Sequence, residues 1–243
     1  MTYCIGMLVR DGLVMMADTR TNAGVDNISC YRKLRIAAGG PDRMIIVCSA
    51  GNLSTSQQAM QRMRRGTPNE ESGEADSWDS VPGIYEAALA AGRALRLSRN
   101  DNDSLNQGSV VFDATLLVGG SVGGEPNRLF LVYPEGNIIE CGPDTPYLQI
   151  GEAKYGKPIL DRALDFDTPL DQALKLGLIS FDSTMRANIA VGLPIDLIAL
   201  RHGEPRPVVQ HRIEADDPYF SALSRGWSDA IARAVDGIAP PPY

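Results

Sequence analysis

The residues able to carry chemistry crowd the front of the chain. Thr2 follows Met1, and an apolar run, Tyr3 to Val9, follows Thr2. Arg10-Asp11-Gly12 makes a turn, and a second apolar run from Leu13 ends in Ala17-Asp18-Thr19-Arg20. Lys33 falls within a third strand-like segment, Ile28 to Ala38. A threonine hydroxyl is a poor nucleophile until a base takes its proton. A free α-amine has a pKa of about 7.7–8.0, so an N-terminal threonine carries nucleophile and base on one residue. Thr2 gains that amine only when Met1 leaves, and threonine is small enough for methionine aminopeptidase to accept. A cation beside the hydroxyl favours the alkoxide that develops. Lys33 supplies it, and Asp18 holds Lys33 and offsets its burial. With Asp18 ending one strand and Lys33 mid-way along the next antiparallel strand, ladder geometry puts them about 4.7–5.5 Å apart. Singly, these residues have plainer readings. Asp18 also reads as a strand end that caps a turn, and Lys33 as one of the surface bases Arg32, Lys33 and Arg35.

Acyl transfer also needs donors for an oxyanion. Gly51 follows a short apolar strand, Met44 to Cys48, and opens a helix running to about Arg65. Glycine permits close backbone approach, and the first N–H groups of a helix are unpaired. Gly51 N–H is therefore the candidate oxyanion donor. Its plainer reading is a glycine that lets strand and helix pack tightly.

Composition narrows the alternatives. The chain has 243 residues and a net charge of −7, which argues against nucleic acid or an anionic membrane as partner. Its length and ordinary apolar content fit one domain, residues 1–243, with a C-terminal helix and a Pro-rich tail. Met1 to Arg10 lacks a basic start and a long apolar core, and no apolar run reaches about 18 residues. The chain is therefore expected in the cytoplasm, with no membrane partner. Cys4, Cys30, Cys48 and Cys141 fit no metal spacing, and His202 and His211 are too few for a zinc site or a Ser-His-Asp triad. No metal or organic cofactor is expected, and the scarcity of histidine leaves the α-amine as base.

Patterning supplies the scaffold. After the two opening strands and the segment Ile28–Ala38 come a strand, the helix to Arg65, a polar acidic loop from Gly66 to Ser80, and a helix from Pro82. A polar loop, Asn100 to Gly108, leads to strands at Val110–Gly119, Leu129–Tyr133, Asn137–Cys141 and Tyr147–Ile150. Helices over Ala153–Ala163 and Pro169–Ala187 follow, then strands at Asn188–Gly192, Asp196–Arg201 and Val208–Ile213, and a last helix after Asp216. Strands too apolar to show a wet face, with helices in separated pairs, suggest two packed sheets with helices outside each. The expected class is α+β, a four-layer αββα sandwich.

The segments Thr2-Tyr3-Cys4, Ala17-Asp18-Thr19-Arg20, Tyr31-Arg32-Lys33-Leu34 and Ser49-Ala50-Gly51 resemble the amino-terminal half of proteasome β subunits. With Thr21 to Asp26 and Gly192-Leu193-Pro194-Ile195-Asp196-Leu197, they look most similar to the Anbu family of bacterial proteasome-type proteases. The resemblance spans about residues 2 to 200 and implies the N-terminal nucleophile hydrolase fold. It implies a threonine-type endopeptidase acting on peptide or unfolded protein, with Thr2, Asp18, Lys33 and Gly51 in the reaction. It also implies a homo-oligomer, a ring or open spiral, and leaves room for an ATPase or adaptor. Two other readings stay open: a catalytically silent shell subunit, and an amidase acting on small amides.

Arg20 lies on the family's Asp-x-Arg pattern, as a brace for the loop after Asp18. Tyr31 and Arg35 share a strand face with Lys33, and with Thr21, Ser49 and Leu53 they are candidates to line the substrate pocket, where Arg35 favours an acidic or polar side chain. The same residues also read as packing and surface positions. One departure stands out. Where proteasome β subunits carry Gly-Ser-Gly, this chain has Gly151-Glu152-Ala153. If Glu152 faces the site it competes with Asp18 for Lys33; if it faces away it caps the next helix. Asp182 and Ser183 are further candidate supporting residues.

Overall fold

The computed structural model describes residues 2–22, 28–104 and 110–243. Met1, residues 23–27 of the expected loop at Thr21–Asn27 and residues 105–108 of that at Asn100–Gly108 lie outside the described residues, and residues 100–104 are helix where a loop was expected.

In chain order, β1 (Tyr3–Val9) and β2 (Gly12–Asp18) form a hairpin closed by Arg10-Asp11. β3 (Arg20–Asn22) and β4 (Ile28–Cys30) make a small ribbon. β5 (Leu34–Gly39) and β6 (Arg43–Gly51) pair next, followed by α1 (Leu53–Arg65). A second ribbon, β7 (Thr67–Pro68) and β8 (Ala75–Asp76), precedes α2 (Ile84–Ser104). Strands β9 (Ala114–Val122), β10 (Arg128–Val132), β11 (Ile138–Glu140) and β12 (Tyr147–Gly151) lead to α3 (Lys157–Ala163) and α4 (Leu170–Ala187). β13 (Ile195–Arg201), β14 (Val209–Ile213) and α5 (Pro218–Asp236) complete the chain.

Among the described residues, the larger strands form two five-stranded sheets, β12-β1-β2-β13-β14 and β11-β10-β9-β6-β5. Strand alternation explains why no wet face was visible in the sequence. In β2, Leu13, Met15 and Ala17 pack toward the other sheet, with Met44, Ile46 and Cys48 of β6 and Leu117 of β9. Val14 and Met16 point the other way, toward Leu160 of α3 and Ala173, Leu178 and Phe181 of α4. The opposite faces of β6 and β9 bury Ile45, Val47 and Val118 against Ala59 and Met63 of α1 and the alanine-rich side of α2. Each strand covered on both faces reads as a continuous apolar run. The structure thus mixes helices with antiparallel sheets, an α+β arrangement.

Local chemistry sets the elements that frame the front edge. Asn52 caps α1, its side chain accepting from Thr55 N–H at 3.1 Å, and the helix stops at Gly66, whose φ of 104° suits glycine. Asp217 caps α5 through Phe220 N–H at 2.7 Å. Helix α5 touches the core mainly through Phe220 and Leu223, leaving Ile231 and Val235, and Ile238 just beyond its end, exposed.

Several sequence expectations are corrected. The segment Ile28–Ala38 is two strands broken at Tyr31–Lys33, because β4 pairs with β3 while β5 joins a different sheet. The stretch Gly66–Ser80 is tied down: it forms a ribbon, and Trp78 is buried among residues of α1 and α2. A polar average concealed one aromatic anchor. Asn188–Gly192 is a turn, closed by Val191 N–H to Asn188 C=O at 3.1 Å, in place of a strand. Helix α3 begins at Lys157, after Gly156, rather than near Ala153.

Candidate active site

Thr2 leads into β1, an inner strand of its sheet between β12 and β2. Its carbonyl accepts from Glu152 N–H at 2.6 Å. Gly151 faces Tyr3 in the ladder with φ of 83°, and a Cβ there would collide with the Thr2 carbonyl. A glycine is required for β12 to approach the start of the chain this closely. Thr2 is partly accessible.

Asp18 and Lys33 are in contact, by a route different from the one expected. Lys33 Nζ lies 2.7 Å from Asp18 Oδ1 and donates to the Arg20 carbonyl at 2.6 Å. Asp18 belongs to β2, but Lys33 precedes β5, in the other sheet. The pair therefore spans the two sheets instead of following a hydrogen-bonded ladder. Asp18 Oδ1 also accepts Tyr3 N–H at 2.9 Å. One carboxylate oxygen thus fixes both the ammonium and the peptide unit immediately after Thr2. Both side chains are deeply buried, Asp18 at 0% and Lys33 at 6% exposure. Burial pushes the Asp18 carboxyl up from its ordinary range, opposed by the Lys33 charge. Asp18 Oδ2 is buried without a hydrogen-bond partner among the described residues.

Gly51 ends β6 with φ of 91°, where a Cβ would press on the Asp113 carbonyl. It leads directly into capped α1. Between that helix and β5 lies a cleft of about 270 Å³ lined by Tyr31, Lys33, Arg35 and Ser49. The lining also includes Gln57, Gln61 and Arg64 of α1, which the sequence reading did not select. Their spacing at i, i+4 and i+7 put them on one helical face, so the signal was there. Thr21 and Leu53 are not part of this lining. Thr21 Oγ1 is buried in β3 with no partner among the described residues.

The supporting candidates are dispersed. Arg20 braces a different segment from the one expected: its Nη1 donates to the Ile189 carbonyl at 2.8 Å, and its guanidinium sits over Gly192, before β13. Glu152 is buried and makes no ion pair with Lys33. Its Oε1 accepts Ala153 N–H and Lys154 N–H, each at 2.9 Å, and its Oε2 accepts Asn188 Nδ2 at 2.9 Å. It caps a turn ahead of α3, and Asn188 is a partner that single-sequence reasoning missed. Asp182 and Ser183 lie elsewhere, on α4 beneath α5, in a groove with Arg186 and Trp227. Among the described residues, no group of three or more His, Cys, Asp or Glu side chains is placed to hold a metal. No helix among them is long and apolar enough to cross a membrane.

A buried Lys–Asp pair thus joins the two sheets at the entry of β1, beside an open cleft. No family model and no curated protein matches the chain. Among solved structures, Anbu (ancestral beta-subunit) from Yersinia bercovieri is 42% identical, with a TM-score of 0.89, over 98% of this chain and 98% of that one. An Anbu (Gly-1) mutant from Hyphomicrobium sp. strain MC1 is 42% identical, with a TM-score of 0.89, over 100% of both chains. The Anbu complex from Pseudomonas aeruginosa, solved as a helical assembly, is 41% identical, with a TM-score of 0.90, over 99% of this chain and 98% of that one. The chain belongs to the Anbu family, whose members are proteasome-β-like.

Proposed function

We propose that the protein is a threonine-type endopeptidase of the proteasome kind, an N-terminal nucleophile hydrolase acting on peptides or unfolded protein. The observation that carries this reading is the shared Asp18 oxygen, which holds both Lys33 Nζ and the Tyr3 amide that follows Thr2. The two sheets with helices outside each support a four-layer αββα sandwich acting as one domain.

In the proposed reaction, Met1 is removed and Thr2 gains a free amine. The amine takes the Thr2 hydroxyl proton as Oγ1 attacks the substrate carbonyl carbon. Lys33 stabilises the negative charge that develops, and Asp18 keeps that ammonium charged and aimed. The oxyanion is held by Gly51 N–H. The C–N bond then breaks, and the leaving amine departs with the proton the Thr2 amine received. Water adds to the ester through the same amine, releasing the acid and restoring Thr2. The chain is proposed to act in the cytoplasm as a homo-oligomer, as its P. aeruginosa relative assembles helically. The exposed apolar residues of α5 are available as contact surface.

The deciding experiment compares matched preparations with Met1 retained and removed, alongside Thr2→Ala, on one peptide substrate series. Turnover is expected only when Met1 is gone and Thr2 is present, with a loss on the order of 10⁴ or more for Thr2→Ala. Equal turnover with Met1 retained would remove the amine from the mechanism. Near-normal turnover by Thr2→Ala would remove the nucleophile.

A further inference from the structure

The cleft beside Lys33 is basic in an acidic protein. The chain carries a net charge of −7, yet the lining holds Lys33, Arg35 and Arg64 and no aspartate or glutamate. Lys33 is compensated by Asp18. Nearby, Arg32 pairs with Asp196 and Arg62 with Asp101, whereas Arg35 and Arg64 make no ion pair among the described residues. Two guanidinium charges therefore face a space of about 270 Å³, the scale of one side chain and below the usual range for whole ligands of roughly 300–1,000 Å³.

The donors in the cleft are also held in place. The Arg35 guanidinium lies 5.1 Å from the Tyr31 ring centre and donates through Nη2 to the Tyr31 hydroxyl at 2.7 Å. Gln57 Nε2 donates to the same oxygen at 3.0 Å. With both its lone pairs engaged, that hydroxyl has only its own proton left to offer, so it acts as a donor. Arg35 spends one further donor on the Arg32 carbonyl at 3.2 Å, leaving most of its fork unused. The positive lining continues outward. A neighbouring cleft of about 460 Å³ shares Arg35 and Arg64 and adds Arg32, His211 and Arg212 around Asp196, which Arg212 grips at 2.7 and 2.8 Å.

We propose that this cleft recognises a carboxylate, so that the residue on the acyl side of the cut bond is acidic. Arg35 and Arg64 face the carboxylate, and Tyr31 donates to it. This inference rests on the peptidase reading above. Guanidinium matches carboxylate in shape and charge, and hydrogen bonds to an ionised group contribute roughly twice what neutral ones do. A basic side chain in the same place meets like charge.

The test has a chemical arm and a binding arm. The first uses the full chain with Met1 removed and fluorogenic peptides differing only at the acyl-side residue: Glu, Gln, Leu or Lys. kcat/KM for Glu is expected to exceed that for Gln by about tenfold, with Lys lowest. Added salt erodes that ratio, and Arg35→Gln with Arg64→Gln brings it close to unity. The second arm uses the Thr2→Ala chain and fluorescence anisotropy with amide-capped peptides ending in Glu or Gln, so no chemistry is needed. The same preference is expected there. A preference for Gln or Leu, an indifferent cleft, or no binding of the Glu peptide overturns the assignment, whatever the turnover. A Glu preference in binding with no turnover by the parent chain keeps the cleft and overturns the nucleophile. The peptide and salt series on the unaltered chain decide the matter even if the arginine variants fail to fold.

Discussion

Replacing Asp18 by asparagine tests the centre of the site without relying on any substrate. Asparagine keeps the shape and an acceptor oxygen, so Tyr3 N–H and Lys33 Nζ both retain a partner, and Lys33 also keeps the Arg20 carbonyl. The compensating charge disappears, and an amide NH2 replaces the partnerless Oδ2, a smaller cost that the double variant below retains. Lys33, at 6% exposure, is then a buried cation with no anion. Removing one member of a buried pair costs about 3–5 kcal/mol. The lower end is a ceiling here, because burial raises the Asp18 pKa and so favours the neutral side chain in the fold, which offsets part of the cost. A loss of about 3 kcal/mol lowers Tm by about 6–12 °C in a chain of this size. Adding Lys33→Met removes the stranded charge, so the double variant should recover most of that loss. The assay is thermal unfolding by circular dichroism at one protein concentration, since assembly makes Tm concentration-dependent. Asp18→Asn melting within about 1 kcal/mol of the parent, or a double variant losing the sum of the singles, would refute a compensated buried pair.

Three further outcomes follow from the same geometry. Gly51→Ala forces a side chain onto a φ of 91° and against the Asp113 carbonyl, so it should cost about 1–3 kcal/mol in denaturant unfolding; an unchanged midpoint would mean the strand end relaxes freely. Glu152→Ala strands the Ala153 and Lys154 amides and Asn188 Nδ2, costing about 2–4 kcal/mol, and Glu152→Gln should recover part of this; equal stability of all three chains would sink the role given to the carboxylate. With the Asp18 pKa raised in the fold, the native state binds the extra proton first, so this group's contribution to stability is present below the ordinary carboxylate value and is lost as pH rises through the raised one. Stability by denaturant unfolding should therefore rise in the parent as pH falls through that window, and rise less in Asp18→Asn; the same pH profile for both chains would contradict the assignment.

The front hairpin was legible because two-residue closure and unbroken apolar runs are local signals. The contact of Asp18 with Lys33 was legible as a pairing of types, yet its route was not. A strand-like pattern over Ile28–Ala38 conceals a change of sheet, since residue alternation continues through a break that only tertiary pairing defines. Trp78 shows the opposite error, in which an acidic, polar segment is read by its average while one aromatic ring fixes it to the core. Glu152 was recognised as a departure, but its partners come from the following turn and from Asn188, 36 residues away. No sequence spacing announces such a contact. The acid-free lining of the cleft was half visible, through Arg35, and half hidden, because Arg64 looks like a helix-terminal cation until α1 is laid beside β5.

The route taken by the pair has a physical consequence. Four of the proposed site residues adjoin a residue buried between the sheets: Asp18 follows Ala17, Lys33 precedes Leu34, Ser49 follows Cys48 and Gly51 follows Ala50. Alternation along the strands makes this unavoidable, since the residue beside an inward side chain points elsewhere. Among the described residues, no ladder hydrogen bond joins the sheet of Asp18 to the sheet of Leu34. The relative position of the two sheets is thus set by interdigitated side chains, together with the Asp18–Lys33 pair itself. A void opened in that layer, as by shortening Leu34 or Ile46, lets one sheet slide against the other while both ladders stay intact. The Asp18–Lys33 distance is the coordinate such a slide changes first, so the site is coupled to the inter-sheet core more tightly than to either sheet alone.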